Sequence, residues 1–105
     1  MSGRIERPLS VLVRAQFGDF ERRRRILEQE SPKRRVRMEM VYLNTRLYDA
    51  AAELVGASLA DAFIRDIGEG IGYTSSSLFD CMSEACYKRY KSELIRSAAR
   101  RLYLL

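Results

Sequence analysis

The stretch that decides the fold runs from Ser31 to Gly56 and reads SPKRRVRMEMVYLNTRLYDAAAELVG. A serine followed by proline suits the N-cap and the first position of a helix, and a glycine suits the position just past a helix end. Between them, apolar residues recur every three or four positions, at Val36, Met40, Leu43, Leu47, Ala50 or Ala51, and Leu54. The pattern predicts one long helix, ending at Val55, with its apolar face at the centre of the core.

Helical patterns also occupy the sequence on both sides of this stretch. Upstream, a mobile arm is expected over Met1–Pro8, followed by a helix over Leu9–Gln29, although Ser10–Arg14 alone also fits a strand. Downstream, we expect a helix over Leu59–Ile67 capped by Ser58, a glycine-rich turn over 68–72, and a short helical piece carrying Leu78, Phe79 and Met82.

Ser83 is placed to cap a last helix that continues to the C-terminus. Its inner stripe consists of Tyr87, Tyr90, Leu94, Ala98 and Leu102. Since alternating apolar patterns are nearly absent, the sequence predicts an all-α fold, a small helical bundle with a helix-turn-helix-like unit in its C-terminal part. We divide it into a basic N-terminal arm and helix, residues 1–30, and a helical domain, residues 31–105.

Composition places the chain among globular proteins of one domain. It has 105 residues, of which 47% are hydrophobic and 31% charged. Only two cysteines occur, Cys81 and Cys86, and no segment has the features of a signal peptide, so the expected compartment is the cytoplasm. No apolar run is long enough to span a membrane, so no membrane partner is expected.

The charges are segregated along the chain. Residues 1–37 hold eleven Lys and Arg against five Asp and Glu, residues 38–86 hold two against eight, and residues 87–105 hold six against one. The basic ends can fold back onto the acidic middle, or they can present a cationic surface to nucleic acid. Both arrangements are compatible with the sequence.

Two segments carry the candidate nucleic-acid contacts. If the C-terminal third is a helix-turn-helix unit, residues at the start of its last helix meet base edges and the following cations hold phosphates. The base candidates are Ser83, Glu84 and Tyr87, and the phosphate candidates are Lys88, Arg89 and Lys91. The alternative is an ordinary amphipathic helix with a solvated basic face.

The second segment consists of Arg22, Arg23, Arg24 and Arg25, followed by Lys33, Arg34, Arg35 and Arg37. Cations in the first turn of a helix oppose its dipole, so Lys33 and Arg34 favour an anionic partner. The alternative is local pairing, as in Glu21 with Arg25 and Arg24 with Glu28, which contributes only about 0.3–0.5 kcal/mol a pair.

Catalysis, metals and cofactors are not indicated. The chain has no histidine, so neither the two cysteines nor the serines at 75–77 have the partner that a zinc site or an activated nucleophile requires. The glycines at 68, 70 and 72 follow a predicted helix rather than a strand, which excludes a dinucleotide fingerprint. We predict no enzyme activity, no catalytic residue, no metal and no cofactor.

The stretch Phe63–Leu105 resembles part of a family of small regulators. It contains Asp66-Ile67-Gly68-Glu69-Gly70-Ile71-Gly72-Tyr73, then Ser83-Glu84-Ala85-Cys86-Tyr87-Lys88-Arg89, and Ala98 to Leu105. This layout is similar to that of ArpU/RinA-type late-gene regulators of phages and integrative elements, whose DNA-binding region is sigma-factor-like. The resemblance implies binding of double-stranded DNA near a promoter, with RNA polymerase as a possible second partner. The N-terminal half shows no such likeness.

The first functional hypothesis is therefore a DNA-binding transcription regulator of a phage or mobile genetic element. The second is a small inhibitor or adaptor, comparable to anti-CRISPR proteins, that binds a host nucleic-acid-handling protein. Its acidic middle would imitate phosphates through Glu53, Asp61, Asp66, Glu69 and Asp80. A homodimer, formed where the wide apolar stripe of the central helix meets a second copy, is compatible with either function.

Overall fold

The computed structural model describes residues 7–103, which form five α-helices and one short 3₁₀ turn. The elements are α1 (Arg7–Gly18), α2 (Phe20–Gln29), α3 (Arg34–Val55), α4 (Ala57–Glu69), the 3₁₀ turn (Tyr73–Ser75) and α5 (Glu84–Tyr103). No strand occurs between residues 7 and 103, so the prediction of a small all-α bundle is confirmed. None of these helices combines the length and apolarity needed to cross a lipid bilayer.

Helix α3 is the central element, as predicted, and it contacts α2, α4 and α5. Only the second half of its predicted apolar face reaches the core, however: Leu47, Ala50 and Ala51 are buried, whereas Val36 is 42% exposed. It ends at Val55, and Gly56 follows with a φ of 88°, a conformation that glycine adopts without steric cost. Its start differs from the prediction. Lys33 is the N-cap and has an extended ψ of 146°, so the helical turn that Ser31 would have capped does not form.

The N-terminal helix predicted over Leu9–Gln29 is divided in two at Asp19. Helix α1 packs against α4 and α5, whereas α2 packs against α3. A single straight helix could not serve both surfaces, and the break allows Phe17 and Phe20 to be buried together. The strand alternative at residues 10–14 is wrong. Residues 1–6, most of the predicted arm, lie outside the described part of the chain, and Arg7 and Pro8 already belong to α1.

One core joins all five helices. Its buried members are Val13, Phe17, Phe20, Leu47, Ala50, Ala51, Ala60, Phe63, Ile64, Ile67, Leu78, Tyr87, Leu94, Ile95, Ala98 and Ala99. The N-terminal residues Val13, Phe17 and Phe20 therefore share this core with the helices that follow. Residue 30 marks no boundary between separate cores among the residues described.

The connection between α4 and α5 differs from the predicted short helix. Helix α4 begins directly after Gly56 and continues to Glu69, and Gly70 then ends it in the left-handed conformation. Residues 70–83 contain the 3₁₀ turn and a series of turns, with no α-helix. This connection is far longer than the roughly 3–4 residues that separate the helices of a helix-turn-helix unit. Helix α5 begins as predicted, since the Ser83 hydroxyl accepts a hydrogen bond from the backbone N–H of Cys86 at 3.2 Å.

Helices α1 and α4 approach each other at a glycine. A Cβ atom on Gly68 would lie 2.7 Å from the backbone oxygen of Phe17 and 2.9 Å from its carbonyl carbon. Both obstructing atoms belong to the backbone, so no change of side-chain rotamer relieves the overlap. Gly68 therefore allows the close packing of two helices that bury Phe17 and Ile67.

We expect Gly68→Ala to lower the free energy of unfolding by about 1–3 kcal/mol, because overpacking outweighs the helix propensity that alanine adds. The matched control is Gly72→Ala, where a Cβ atom would meet nothing within 4 Å and φ is −84°. Urea denaturation monitored by circular dichroism measures both variants. Equal stabilities of the two variants would contradict the close approach.

Candidate nucleic-acid interface

The four consecutive arginines of α2 face four directions, because successive residues of a helix are turned by about 100°. The Arg22 guanidinium lies 3.4 Å from the Asp19 carboxylate, with both side chains about half exposed. The Arg24 guanidinium lies 2.9 Å from Asp61 on α4 and also stacks on the Phe20 ring. Arg25 is exposed and makes no ion pair with any residue between 7 and 103.

Arg23 is not part of a nucleic-acid surface, contrary to the prediction. Its side chain is only 3% exposed, and its guanidinium donates hydrogen bonds to the Asn44 Oδ1 atom at 2.7 Å and the Gln16 backbone oxygen at 2.6 Å. Burial lowers the pKa of Arg23 from its ordinary value, and the charge of Asp19 partly opposes this. A side chain enclosed in this way cannot reach a phosphate. Arg23 instead joins α1, α2 and α3.

Tyr87, predicted to meet a base edge, is also in the core. It is 1% exposed, and its hydroxyl donates to the Asp66 Oδ2 atom at 2.8 Å. Its ring stacks on Phe63 with 5.5 Å between the ring centres. The prediction that Tyr87 lies on the inner stripe of the last helix is thus confirmed, and its assignment as a base contact is wrong.

The other C-terminal candidates are mostly engaged within the protein. Ser83 caps α5, and Glu84 pairs with Lys88 at 2.9 Å. Lys91 is half-buried, donates to the Ile71 backbone oxygen at 2.8 Å, and has a pKa lowered by burial. Arg89 is exposed but lies over the Tyr90 ring. Of the three predicted phosphate contacts at the start of α5, Lys88 and Arg89 are exposed but already have partners within the protein, and Lys91 is half-buried.

Three of the five residues of the predicted acidic surface are engaged within the protein, while Glu69 and Asp80 are exposed. Asp66 is fully buried, where it accepts hydrogen bonds from Tyr87 and Ser76. Asp61 is paired with Arg24, and Glu53 is paired with Arg101 of α5. Part of the basic N-terminal and C-terminal sequence thus folds back onto the acidic middle, as one of the two sequence-based alternatives supposed.

The other cations of the predicted N-terminal segment lie near the connection between α2 and α3. We call the set of Arg25, Lys33, Arg34, Arg35 and Arg37 the hairpin cluster. All five side chains are exposed, and none forms an ion pair with a residue between 7 and 103.

Two features of α3 add to the positive potential of the hairpin cluster. The first turn of α3 has no acidic residue, and no side chain caps its N-terminus. The first N–H groups of the helix, which have no partner within it, therefore reinforce the charge of the cluster. Glu28, Glu30 and Glu39 lie nearby in the sequence, but five cations outnumber these three carboxylates.

The sequence alone does not identify the partners of the two buried ionic groups, Arg23 and Asp66. Asn44, a polar residue between the apolar positions Leu43 and Leu47, was the available signal for the Arg23 site. Asn44 also donates to the Phe20 backbone oxygen at 3.1 Å, so its amide bridges α2 and α3 twice. For Asp66 no comparable signal existed, because carboxylates are common on helix surfaces.

Replacing Arg23 by Met is expected to cost about 2–4 kcal/mol of stability, because it leaves the half-buried oxygens of Gln16 and Asn44 without their donor. The matched control is Arg25→Met, the same substitution two residues later in α2 at an exposed position, with an effect within about 0.5 kcal/mol. Thermal and urea denaturation report both values. If the two variants were equally stable, Arg23 would not have the structural role described.

The variant Tyr87→Phe tests the hydrogen bond from Tyr87 to the buried Asp66 carboxylate. Burial and the hydrogen bond to Asp66 raise the pKa of Tyr87 to about 12 from 10.0. A raised folded-state pKa contributes stability that is complete below pH 10 and lost as pH rises through about 12. We expect the variant to be less stable by about 1–3 kcal/mol at neutral pH. In urea titrations, the difference in free energy of unfolding between the variant and the unmodified protein should shrink as pH rises from 10 to about 12. A difference that stays constant would contradict the hydrogen bond between Tyr87 and Asp66.

No protein-family model matches this chain, and the comparisons with curated proteins and with solved structures also found no match. The similarity to ArpU/RinA-type regulators therefore stays a prediction from short motifs. Two residues of those motifs have roles in folding that are independent of DNA. Gly70 ends α4 in the left-handed conformation, and Ser83 caps α5.

Proposed function

We propose that this chain binds double-stranded DNA by holding backbone phosphates at the hairpin cluster. The observation that carries the proposal is the start of α3, where Lys33, Arg34 and Arg35 surround an uncapped helix N-terminus. Cations at that position destabilise an isolated helix, because its dipole places partial positive charge there. An anion bound to the N–H groups and the side chains removes the conflict.

A polyanion fits the hairpin cluster better than a small anionic ligand does. The five cations are exposed along a helix end rather than gathered in a pocket, and small ligands bind mainly in concave sites. The cleft between α1, α2 and α4 is lined by Glu21, Asp61 and Glu69 beside Arg24 and Arg65, so its charges are mixed. Phosphates along a duplex, by contrast, are spaced so that several exposed cations bind at once.

The proposed contacts are to phosphates, which fix a protein on the duplex without reading its sequence. Tyr87, the largest of the base candidates, is buried. Regulation of a phage or mobile element, which the family resemblance implies, would need base contacts in addition to those of the hairpin cluster. The alternative inhibitor function has less support, because Asp66 is buried and Asp61 and Glu53 are paired with arginines.

Fluorescence anisotropy with a random-sequence duplex, titrated from low to high salt, tests the proposal. We expect the double variant Arg34→Gln/Arg37→Gln to bind at least about tenfold more weakly at low salt. The slope of log K against log salt should fall by up to about 2, since each lost phosphate contact removes about 0.9.

The matched control is Lys88→Gln/Arg89→Gln, which removes the same formal charge from exposed positions of α5. We expect this control to keep nearly the full affinity and slope. Absence of duplex binding by the unmodified protein at low salt would overturn the proposal. An equal loss in both double variants would show that net charge, rather than the hairpin cluster, is responsible.

A further inference from the structure

The first half of α3 exposes apolar side chains on the side that faces away from the core. Met38 is 60% exposed, Val41 44% and Tyr42 47%. We call Met38, Val41, Tyr42 and Thr45 the outer face of α3. Val36, on the opposite side of the same segment, is 42% exposed. An exposed apolar patch rimmed by charged residues marks a surface for contact with another protein, so we expect a partner to cover this face.

We propose that a second copy of this chain covers the outer face, with the two α3 helices packed antiparallel about a twofold axis near Tyr42. The charges on α3 favour this arrangement. Arg35 and Asp49 are both exposed, and each lies seven residues from Tyr42, on opposite sides of it. Successive residues of a helix are turned by about 100°. Arg35 and Asp49 are fourteen residues apart, so their side chains leave the helix within about 40° of the same direction.

An antiparallel pair centred on Tyr42 therefore places Arg35 of each copy at the height of Asp49 of the other. Neither side chain forms an ion pair with another residue between 7 and 103. The same alignment brings Met38 opposite Arg46 of the other copy, and the two Tyr42 rings, each with the Arg46 guanidinium of its own chain 4.8 Å from the ring centre, meet near the axis. The interface is isologous, since every contact occurs twice.

A parallel pairing of the two helices is disfavoured, because it would place two hairpin clusters side by side. The antiparallel arrangement moves them to opposite ends of the interface, which reduces the repulsion between like charges. The inference does not require DNA binding, although Arg35 belongs to both the hairpin cluster and the dimer interface. The dimer is therefore tested without nucleic acid.

Analytical ultracentrifugation across a concentration series tests the dimer. We expect the unmodified chain to sediment as a reversible dimer, and Met38→Gln/Val41→Gln to raise the dissociation constant at least about tenfold, because four apolar side chains leave the interface. The matched control is Val11→Gln/Leu12→Gln, which removes two apolar residues of α1 that are 58% and 53% exposed. It should leave the dissociation constant unchanged. Circular dichroism confirms that each variant is folded.

A charge exchange tests the antiparallel register. Arg35→Asp and Asp49→Arg should each weaken the dimer, because each places like charges opposite one another. The double variant, with both changes in one chain, should restore most of the affinity. A monomer at concentrations up to about 1 mM, or a dimer that only the α1 variant disrupts, would overturn the proposal. Failure of the double variant to recover would overturn the register.

Discussion

The buried guanidinium of Arg23 is the constraint that sets the position of the first three helices. Its closest acidic atom is 4.0 Å away on Asp19, so oxygens of neutral groups on Asn44 and Gln16 provide its shorter contacts. Burying such a cation is favourable only when its fixed fork of donors finds acceptors. These acceptors lie on α1 and α3, and the three helices must therefore meet in one arrangement. That arrangement turns Arg25 and the start of α3 outward.

Asp66 has a comparable role at the other end of the bundle. Its carboxylate accepts hydrogen bonds from Tyr87 on α5 and from Ser76 in the connection, while the Ser76 hydroxyl also accepts the backbone N–H of Leu78 at 3.0 Å. These hydrogen bonds form only when residues 76–78 adopt a turn, because the Ser76 hydroxyl then reaches both Asp66 and the Leu78 N–H. They explain why residues near Leu78 do not continue as a helix, even though their apolar spacing permits one. A buried polar network of this kind selects one conformation among several that satisfy the hydrophobic pattern.

The sequence was informative where periodicity and capping agree. The end of α3 at Gly56 and the start of α5 at Ser83 were predicted because glycine and serine have clear conformational preferences there.

The orientation of single side chains was less predictable. Four consecutive arginines must face all sides of a helix, and nothing local identifies Arg23 as the buried one. Its acceptors lie on other helices, so only the tertiary structure reveals them. Similarly, the short motif around Tyr87 suggested DNA contacts, although its position on the apolar stripe already indicated burial.

The two proposals concern the same half of α3 and share Arg35, which pairs with Asp49 of the other copy in the dimer and leaves the other four members of the hairpin cluster for phosphates. The buried residues of α3, Leu47, Ala50 and Ala51, all lie in its second half, whereas Met38, Val41 and Tyr42 of the first half are exposed. In an antiparallel pair centred on Tyr42, each Arg35 lies seven residues from the axis, so the two hairpin clusters are on the order of 20 Å apart at a rise of 1.5 Å a residue. One turn of duplex DNA measures about 34 Å. Both clusters of a dimer would therefore contact phosphates within a single turn, which doubles the number of contacts without enlarging the site on either chain.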